Sequence, residues 1–254
     1  MAEAPIELRF YAELRDLLPR RHRSGRISHP WIATQSVKDL IESYGVPHTE
    51  VEVVIVEGRS VGWSHRPRAG ARVSVYPVFE AFDVRPLLRL RPEPLRVTRF
   101  VLDGHLGTLA RRLRLLGFDS LYARDAADDA LVRVSLRDRR VLLTRDRLLL
   151  RRRAVTHGYL LRSDLPAEQV REVVQRFQLG ASIAPYTRCP ACNGLLRPVE
   201  KAAIAHRLPP GTRRSYDEFR TCPDCGRDYW RGAHHRRIAE LVEQAREADG
   251  PDRA

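Results

Sequence analysis

Four cysteines in two closely spaced pairs constrain this chain more than any other feature. The pairs are Cys189 with Cys192 and Cys222 with Cys225, and the chain has no other cysteine. Two such pairs supply the four thiolates of a tetrahedral zinc site. We expect Gly194 and Gly226, close behind each pair, to adopt positive φ so that backbone N–H groups point at the sulfurs. The 29 residues between the pairs exceed the usual ribbon spacing and predict an inserted segment.

Two alternatives for the cysteines are less favoured. A single C-x-x-C pair is typical of redox proteins, but two matching pairs with no spare cysteine favour zinc. Disulfides would need an oxidising compartment, and nothing in the sequence indicates one. The sequence therefore predicts a structural zinc ribbon over residues 181–240, followed by a tail over residues 241–254. Zinc explains how this part folds without stating what the protein does.

The positive charge is confined to one part of the chain. Residues 1–83 contain 11 basic and 11 acidic residues, whereas the rest contains 34 basic and 21 acidic ones, so the whole net charge of +13 lies after residue 83. This asymmetry indicates a polyanionic partner for the second part, with RNA as the leading candidate. A genomic preference for arginine codons would explain why only Lys38 and Lys201 are lysines, but not the asymmetry.

Targeting features are absent from the sequence. No apolar run reaches the 18 or so residues that a membrane-spanning helix needs, and the acidic N-terminal segment lacks the apolar core of a signal peptide. We therefore expect a cytoplasmic protein with no membrane association. The sequence does not indicate an oligomeric state.

Residues 1–83 predict a small α+β domain. Ile6, Leu8 and Phe10 alternate with polar residues as in a half-buried strand, and Ser36 is a candidate N-cap for a short helix that ends at Gly45. The order of strands around this helix resembles the β-grasp, ubiquitin-like fold, and in particular the small sulfur carriers. Those carriers end in a free Gly-Gly, which is absent here, so we expect a docking or structural role instead of sulfur transfer.

A proline-rich linker over residues 84–96 separates this domain from a second one over residues 97–180. Short apolar runs alternate there with helical patterns, which predicts an α/β domain with a parallel sheet. In such sheets, ligands bind beyond the carboxyl ends of the strands. Asp103 and Asp146 directly follow the first and third predicted strands.

Asp128 and Asp129 stand at the start of a helix that begins at the same edge of the predicted sheet. With Asp103 and Asp146 they form an acidic set suited to Mg²⁺ or Mn²⁺, which could activate a water for phosphodiester cleavage. Alternatively, Asp128 and Asp129 could be helix caps, and Asp146 could pair with a neighbouring arginine. Two further carboxylates, Asp119 and Asp125, are expected in turns or on the surface.

The ordered motifs of residues 97–240 resemble the Mut-seven C-terminal RNase family. They are FVLDG at 100–104, LARRLRLLGFD at 109–119, LTRD at 143–146, the two cysteine loops, and YWRGAH at 229–234. The resemblance implies a PIN-like fold with a zinc ribbon and a metal-dependent ribonuclease that uses Asp103, Asp128, Asp129 and Asp146. The β-grasp segment is similar to the ubiquitin-like domain that often precedes this nuclease. A Glu that the family often carries beyond the acidic helix start is absent, since Ala130 and Leu131 stand there, and His105 replaces an apolar residue.

Five residues are candidates for binding RNA. Arg111, Arg112 and Arg145 could hold phosphates, and Trp230 and His234 could contact unpaired bases. Alternatively, Trp230 and its neighbour Tyr229 pack the ribbon against the nuclease domain. The leading hypothesis is a metal-dependent ribonuclease. The alternative is a non-catalytic RNA-binding adaptor whose ribbon and basic surface bind RNA while the β-grasp domain recruits a protein partner.

Overall fold

A computed structural model of the chain describes residues 3–77, 89–90, 98–232 and 235–248. Most of the predicted linker, together with His234, lies outside these described residues. The chain divides into two compact units. The first comprises residues 1–97 and 135–160, and the second comprises residues 98–134 and 161–254. Residues 135–160 thus group with the N-terminal residues.

The helices and strands follow one another in three stretches of the chain. The first stretch contains β1 (Ile6–Phe10), α1 (Leu14–Leu17), β2 (Arg26–His29), α2 (Val37–Ser43), β3 (Val51–Val56), β4 (Arg59–Ser60) and β5 (Arg72–Pro77). The second contains β6 (Phe100–Leu102), α3 (Gly107–Leu115), β7 (Ser120–Tyr122), α4 (Asp128–Arg137), β8 (Val141–Thr144), α5 (Arg147–Arg151), β9 (Gly158–Leu160) and α6 (Pro166–Arg176). The third contains β10 (Arg197–Val199), α7 (Lys201–Ile204), α8 (Pro210–Ser215), β11 (Phe219–Thr221), β12 (Asp228–Trp230) and α9 (His235–Ala248).

The N-terminal sheet has the β-grasp arrangement that the sequence predicts. Its strand order is β2-β1-β5-β3-β4, with β1 parallel to β5 and antiparallel to β2. Strand β1 alternates between buried and exposed residues along its length, and α2 buries Val37, Leu40 and Ile41 completely. Ser36 caps this helix as expected, because its Oγ accepts from the N–H of Asp39 at 3.2 Å.

Within the same unit, N-terminal side chains hold the segment that contains β8, α5 and β9. Glu50 Oε1 accepts a hydrogen bond from the backbone N–H of Leu160 at 2.6 Å. His48 Nε2 donates to the carbonyl oxygen of Val155 at 2.8 Å, while its Nδ1 lies 2.7 Å from Glu42 Oε1. Glu42, His48 and Glu50 are buried, so these contacts are shielded from water. They support the structural role that was one of the two predicted for this domain.

Strands β6 to β9 are short, mostly buried and paired in parallel. Strand β6 pairs with β7 in parallel, and β8 pairs with β9 in parallel. All residues of β6 and of β8 are buried, as expected for strands covered on both faces. Helix α6 packs on α3, and the ring of Phe177 after α6 lies 5.5 Å from that of Phe100. The predicted α/β class with a parallel sheet is therefore confirmed.

A small antiparallel sheet in the order β10-β11-β12 forms the C-terminal part, as predicted for a ribbon. Helices α7 and α8 lie between its first two strands and account for the long spacing between the cysteine pairs. Helix α9 follows and packs on α6. In the described part of the chain, no helix combines the length and the apolar character needed to cross a bilayer.

Replacement of Glu50 by Ala is expected to loosen β9. The buried N–H of Leu160 would lose its acceptor, which costs about 1–3 kcal/mol. Amide hydrogen exchange at Leu160 should therefore accelerate roughly 5- to 150-fold. Glu57→Ala is the matched control, because the exposed Glu57 accepts from the N–H of Arg72 at the same 2.6 Å. Equal protection of Leu160 in both variants would contradict this prediction.

Candidate functional site

The four cysteine thiols converge between two loops. Cys189 Sγ lies 3.6 Å from Cys225 Sγ, Cys192 Sγ lies 3.3 Å from Cys222 Sγ, and all four sulfurs lie within 4.8 Å of one another. A tetrahedral site with Zn–S bonds of about 2.3 Å separates its sulfurs by about 3.8 Å. The cluster therefore suits a structural zinc ion. Within the described ranges, it is the one group of three or more His, Cys, Asp or Glu side chains placed to share an ion.

Hydrogen-bond donors around Cys189 favour its thiolate form. Burial raises the pKa of this thiol, but hydrogen bonds from the Tyr229 hydroxyl and from the N–H groups of Cys192 and Ala191 outweigh burial and lower the pKa to about 7. The Tyr229 hydroxyl lies 3.0 Å from the sulfur. Since zinc binds the thiolate, these donors prepare the site for the metal.

The two glycines behind the cysteine pairs differ in their roles. Gly226 has φ +71°, as the sequence predicts. The expectation for Gly194 was wrong, because Asn193 is the residue with positive φ in the first loop, at +75°. Gly194 is needed for close approach instead, since a Cβ there would collide with the Asp224 carboxylate and lie 3.0 Å from Cys222 Sγ.

Asn193 attaches the first cysteine loop to β7. Its side chain is buried, its Oδ1 accepts from the N–H of Ser120 at 2.8 Å, and its Nδ2 donates to Asp119 Oδ1 at 2.8 Å. Asp119 also pairs with Arg188, with 3.3 Å between Oδ2 and the guanidinium. The expectation that Asp119 is a turn or surface residue was therefore wrong, because it is half-buried and held by two partners.

Arg114 attaches the same loop to α3. Its Nε donates to the carbonyl of Ser120 at 2.8 Å, and its guanidinium donates to the carbonyls of Ala191 at 3.0 Å and Pro190 at 3.3 Å. Burial lowers the pKa of Arg114, while the neighbouring Cys192 and Cys189 raise it. We refer to Arg114, Asp119, Arg188 and Asn193 together as the Asn193 cluster. Sequence reasoning missed it; the only available signal was that Arg188 and Asn193 flank the first cysteine pair.

Trp230 packs against the inserted segment. Ile204, Leu208 and Phe219 form a small core there, and the Trp230 ring lies 6.2 Å from that of Phe219. Tyr229 instead packs against the core around Cys189, Leu196 and Cys222. The two aromatic residues thus pack within the ribbon, whereas the structural alternative considered from the sequence was packing of the ribbon against the nuclease domain.

Asp103 directly follows β6 and is half-buried. Its Oδ1 accepts from the N–H of Gly104 at 2.5 Å, at the start of a short 3₁₀ turn. Gly104 has no room for a side chain, because a Cβ would collide with the carbonyl oxygen of Arg124. The Tyr122 hydroxyl donates to the carbonyl of Gly104 at 2.8 Å. Contacts with the loop after β7 therefore fix the backbone that carries Asp103.

The other predicted carboxylates lie at the starts of helices. Asp128 and Asp129 are the first two residues of α4, where the helix dipole stabilises negative charge. Asp146 directly follows β8 and caps α5, because its Oδ1 accepts from the N–H of Leu148 at 2.7 Å. Arg145 is exposed beside it. Each acidic residue thus lies where the sequence predicts, while its catalytic role stays a prediction.

Three of the predicted RNA-binding residues line a single cleft. Arg111 and Arg112 project from α3 and Trp230 from β12, and the cleft encloses about 820 Å³. All of its lining residues belong to the second unit. His234 lies outside the described residues, so its position relative to the cleft is not described.

Comparisons with known families agree with this architecture. A family model described as Mut7-C RNAse domain matches residues 98–242, and one described as Mut7-C ubiquitin matches residues 3–83. No curated protein and no solved structure matches the chain significantly. Both resemblances noted in the sequence are thereby confirmed.

Asn193→Asp is expected to detach the first cysteine loop from β7. The substitution replaces the amide donor with a carboxylate facing Asp119, so a hydrogen bond of 2.8 Å becomes a like-charge contact. Hydrogen exchange should accelerate in both residues 118–122 and residues 189–196, and a competing chelator should remove zinc faster. Asp217→Asn, at an exposed position in the ribbon, is the control. Unchanged exchange at both segments would show that Asn193 does not hold them together.

Proposed function

The chain belongs to the Mut7-C RNase domain family, and from this we propose that it is a metal-dependent ribonuclease. The observation that carries the proposal is the family match over residues 98–242, which contains two aspartates directly after buried parallel strands. Asp103 and Asp146 are the proposed metal-binding and catalytic residues. Asp128 and Asp129 are proposed to add negative charge at the start of α4.

The donor chemistry suits Mg²⁺ or Mn²⁺. Among the described residues, no three carboxylates are placed to share an ion. Mg²⁺ does not need such a group, because it is commonly held by one or two carboxylates together with water and substrate phosphates. When bound, the ion would supply an activated water and stabilise the leaving oxygen of the phosphodiester.

The chain's own residues would position the reacting groups. The N–H of Gly104 binds Asp103 Oδ1, and the N–H of Leu148 binds Asp146 Oδ1. Each carboxylate therefore keeps a defined orientation. Arg111, Arg112 and Arg145 are proposed to hold RNA phosphates, and Trp230 and His234 to contact bases. The excess of basic residues after residue 83 would draw the polyanion to these groups.

The remaining parts have supporting roles in this proposal. Zinc on the four cysteines would stabilise the ribbon and take no part in the chemistry. The β-grasp domain would support the segment that carries Asp146, and a protein partner on its outer surface is a further expectation. We expect the protein to act in the cytoplasm, where thiolates stay reduced.

Two observations favour a second candidate, a non-catalytic RNA-binding adaptor. The acidic residues form no group of three within the described ranges, and the family's frequent Glu is replaced by Ala130 or Leu131. An adaptor would use the cleft and the basic surface for binding, with no need for a metal at the carboxylates.

Cleavage of RNA by the wild type in Mg²⁺ or Mn²⁺ should be lost in an Asp103→Asn, Asp146→Asn double variant. We expect a loss of about 100-fold or more, since a metal ion supplies several kcal/mol of transition-state stabilisation. The measurement is the initial rate on a labelled RNA of mixed sequence, with zinc content as a check on folding. The matched control is Asp16→Asn with Asp217→Asn, which removes one exposed carboxylate from each unit.

Two results would overturn the ribonuclease. One is an absence of cleavage by the wild type in every metal while RNA still binds, which would favour the adaptor. The other is equal cleavage by the wild type and the double variant, which would place the chemistry elsewhere in the chain.

A further inference from the structure

We infer that the cleft between α3, the ribbon and α9 binds an unpaired stretch of RNA and so directs the enzyme to single strands; this inference rests on the proposed ribonuclease function. The cleft encloses about 820 Å³, within the range of roughly 300–1,000 Å³ that is usual for ligand sites. Its lining combines arginines, aromatic rings and apolar side chains.

One face of α3 forms the first wall. Thr108, Arg111, Arg112 and Leu115 line the cleft, and their spacing of three, four and seven residues places them on one side of the helix. They extend over about 10 Å of helix length. This wall presents two guanidinium groups beside the apolar side chain of Leu115.

Aromatic rings supply the surfaces on which bases could stack. Tyr186, Tyr216, Tyr229 and Trp230 all line the cleft and are half-buried. Trp230 is held in place by packing against Phe219 and the inserted core, so little side-chain freedom would be lost when a base stacks on it. Stacking on such rings tolerates any base and is typical of single-strand binding.

The charge left in the cleft favours phosphate. Asp228 lines it but is already paired with Arg207, with contacts of 3.1 and 3.2 Å, and Arg188 is paired with Asp119. Arg111, Arg112 and Arg237 make no ion pair or hydrogen bond to another described residue. Since Glu240 is the other acidic residue in the lining, the cleft keeps a net positive charge for a polyanion.

The combination of arginines and aromatic rings in the lining favours single strands over duplexes. In an RNA duplex the base faces are stacked inside the helix, and proteins contact mainly its backbone and 2′-hydroxyls. A duplex could therefore offer its phosphates to the arginines of the lining but not its base faces to the aromatic rings. An unpaired stretch could offer both its phosphates and its bases.

Asp103 lies close in sequence to the α3 residues that line the cleft. The wall on α3 begins at Thr108, only five residues after Asp103, and both belong to the second unit. RNA that lies along α3 towards its N-terminus would approach the carboxylate. The cleft would thus bind single-stranded RNA, and the carboxylates would be needed for its cleavage.

The test measures binding apart from cleavage. A labelled 12-nucleotide RNA of mixed sequence, single-stranded or as a duplex, is titrated with the Asp103→Asn, Asp146→Asn protein, without added divalent metal or chelator. Fluorescence anisotropy is followed over a range of salt concentrations. We expect tighter binding of the single strand than of the duplex.

Three further substitutions in that protein, Arg111→Gln, Arg112→Gln and Arg237→Gln, should weaken single-strand binding about tenfold or more. Each phosphate contact contributes about 0.7 to the slope of log affinity against log salt. Loss of three contacts should therefore reduce the slope by about 2. The control is Arg133→Gln, Arg197→Gln and Arg246→Gln, which removes the same charge from the second unit outside the cleft.

Trp230→Leu tests the stacking half of the inference. It should lower affinity about tenfold with an unchanged salt slope, because it removes a stacking surface and no charge. Trp230→Tyr should restore most of the binding. Zinc content shows whether the ribbon is folded in each variant.

The inference is overturned if the cleft and control variants bind the single strand alike, or if the duplex binds as tightly as the single strand. These results are distinct from failure of the ribonuclease. If the wild type cleaves no RNA while the cleft variant selectively loses binding, the cleft is supported as an RNA-binding site and the ribonuclease proposal is rejected.

Discussion

One buried amide, Asn193, holds the first cysteine loop on the α/β domain, and the arrangement of the ribbon depends on it. A buried amide is costly unless its donors and acceptor are used. Asn193 uses both ends, on the N–H of Ser120 and on Asp119, while Arg114 and Arg188 complete the cluster. Zinc on the four cysteines would fix the two loops relative to each other, and the Asn193 cluster fixes the first loop relative to β7 and α3.

This attachment gives the ribbon a second use. Helix α3 holds the cysteine loop through Arg114 and lines the cleft through Arg111 and Arg112. Arg112 lies about 160° from Arg114 around the helix, whereas Arg111 lies about 60° from it, at the edge of the buried side. The same helix therefore carries a buried arginine that binds backbone carbonyls, an exposed Arg111 and a half-buried Arg112. Loss of zinc would disturb the ribbon residues of the cleft, since Tyr229 contacts Cys189 and Trp230 follows Tyr229 in sequence.

Features that depend on local spacing could be predicted from the sequence. The cysteine loops, the Ser36 cap, the parallel strands and the position of each aspartate after its strand all follow from residues a few positions apart. The Asn193 cluster could not be predicted, because Asp119 and Asn193 are 74 positions apart and neither belongs to a periodic pattern. The role of Gly194 was missed for the same reason, since the atoms that exclude a side chain there come from the second cysteine loop.

The grouping of residues 135–160 with the N-terminal residues shows a different limit. Its contacts use buried polar side chains, Glu50 and His48, that bind backbone groups about 110 positions away. Polar residues read from sequence predict exposure, so Glu50 gives no sign that it caps the edge of a distant strand. The ubiquitin-like domain therefore holds residues 135–160 through these hydrogen bonds, and this structural role needs no other protein.

The net charge of the sequence does not show how many arginines are already bound to other residues of the chain. Several arginines behind the value of +13 are already used: Arg114 and Arg188 bind the cysteine loop, and Arg207 neutralises Asp228. A count of basic residues therefore overstates the charge available to a polyanion. What remains at the cleft is a small set, Arg111, Arg112 and Arg237, beside aromatic rings and apolar side chains. That combination indicates recognition of both phosphates and bases, whereas charge alone would indicate only attraction to any polyanion.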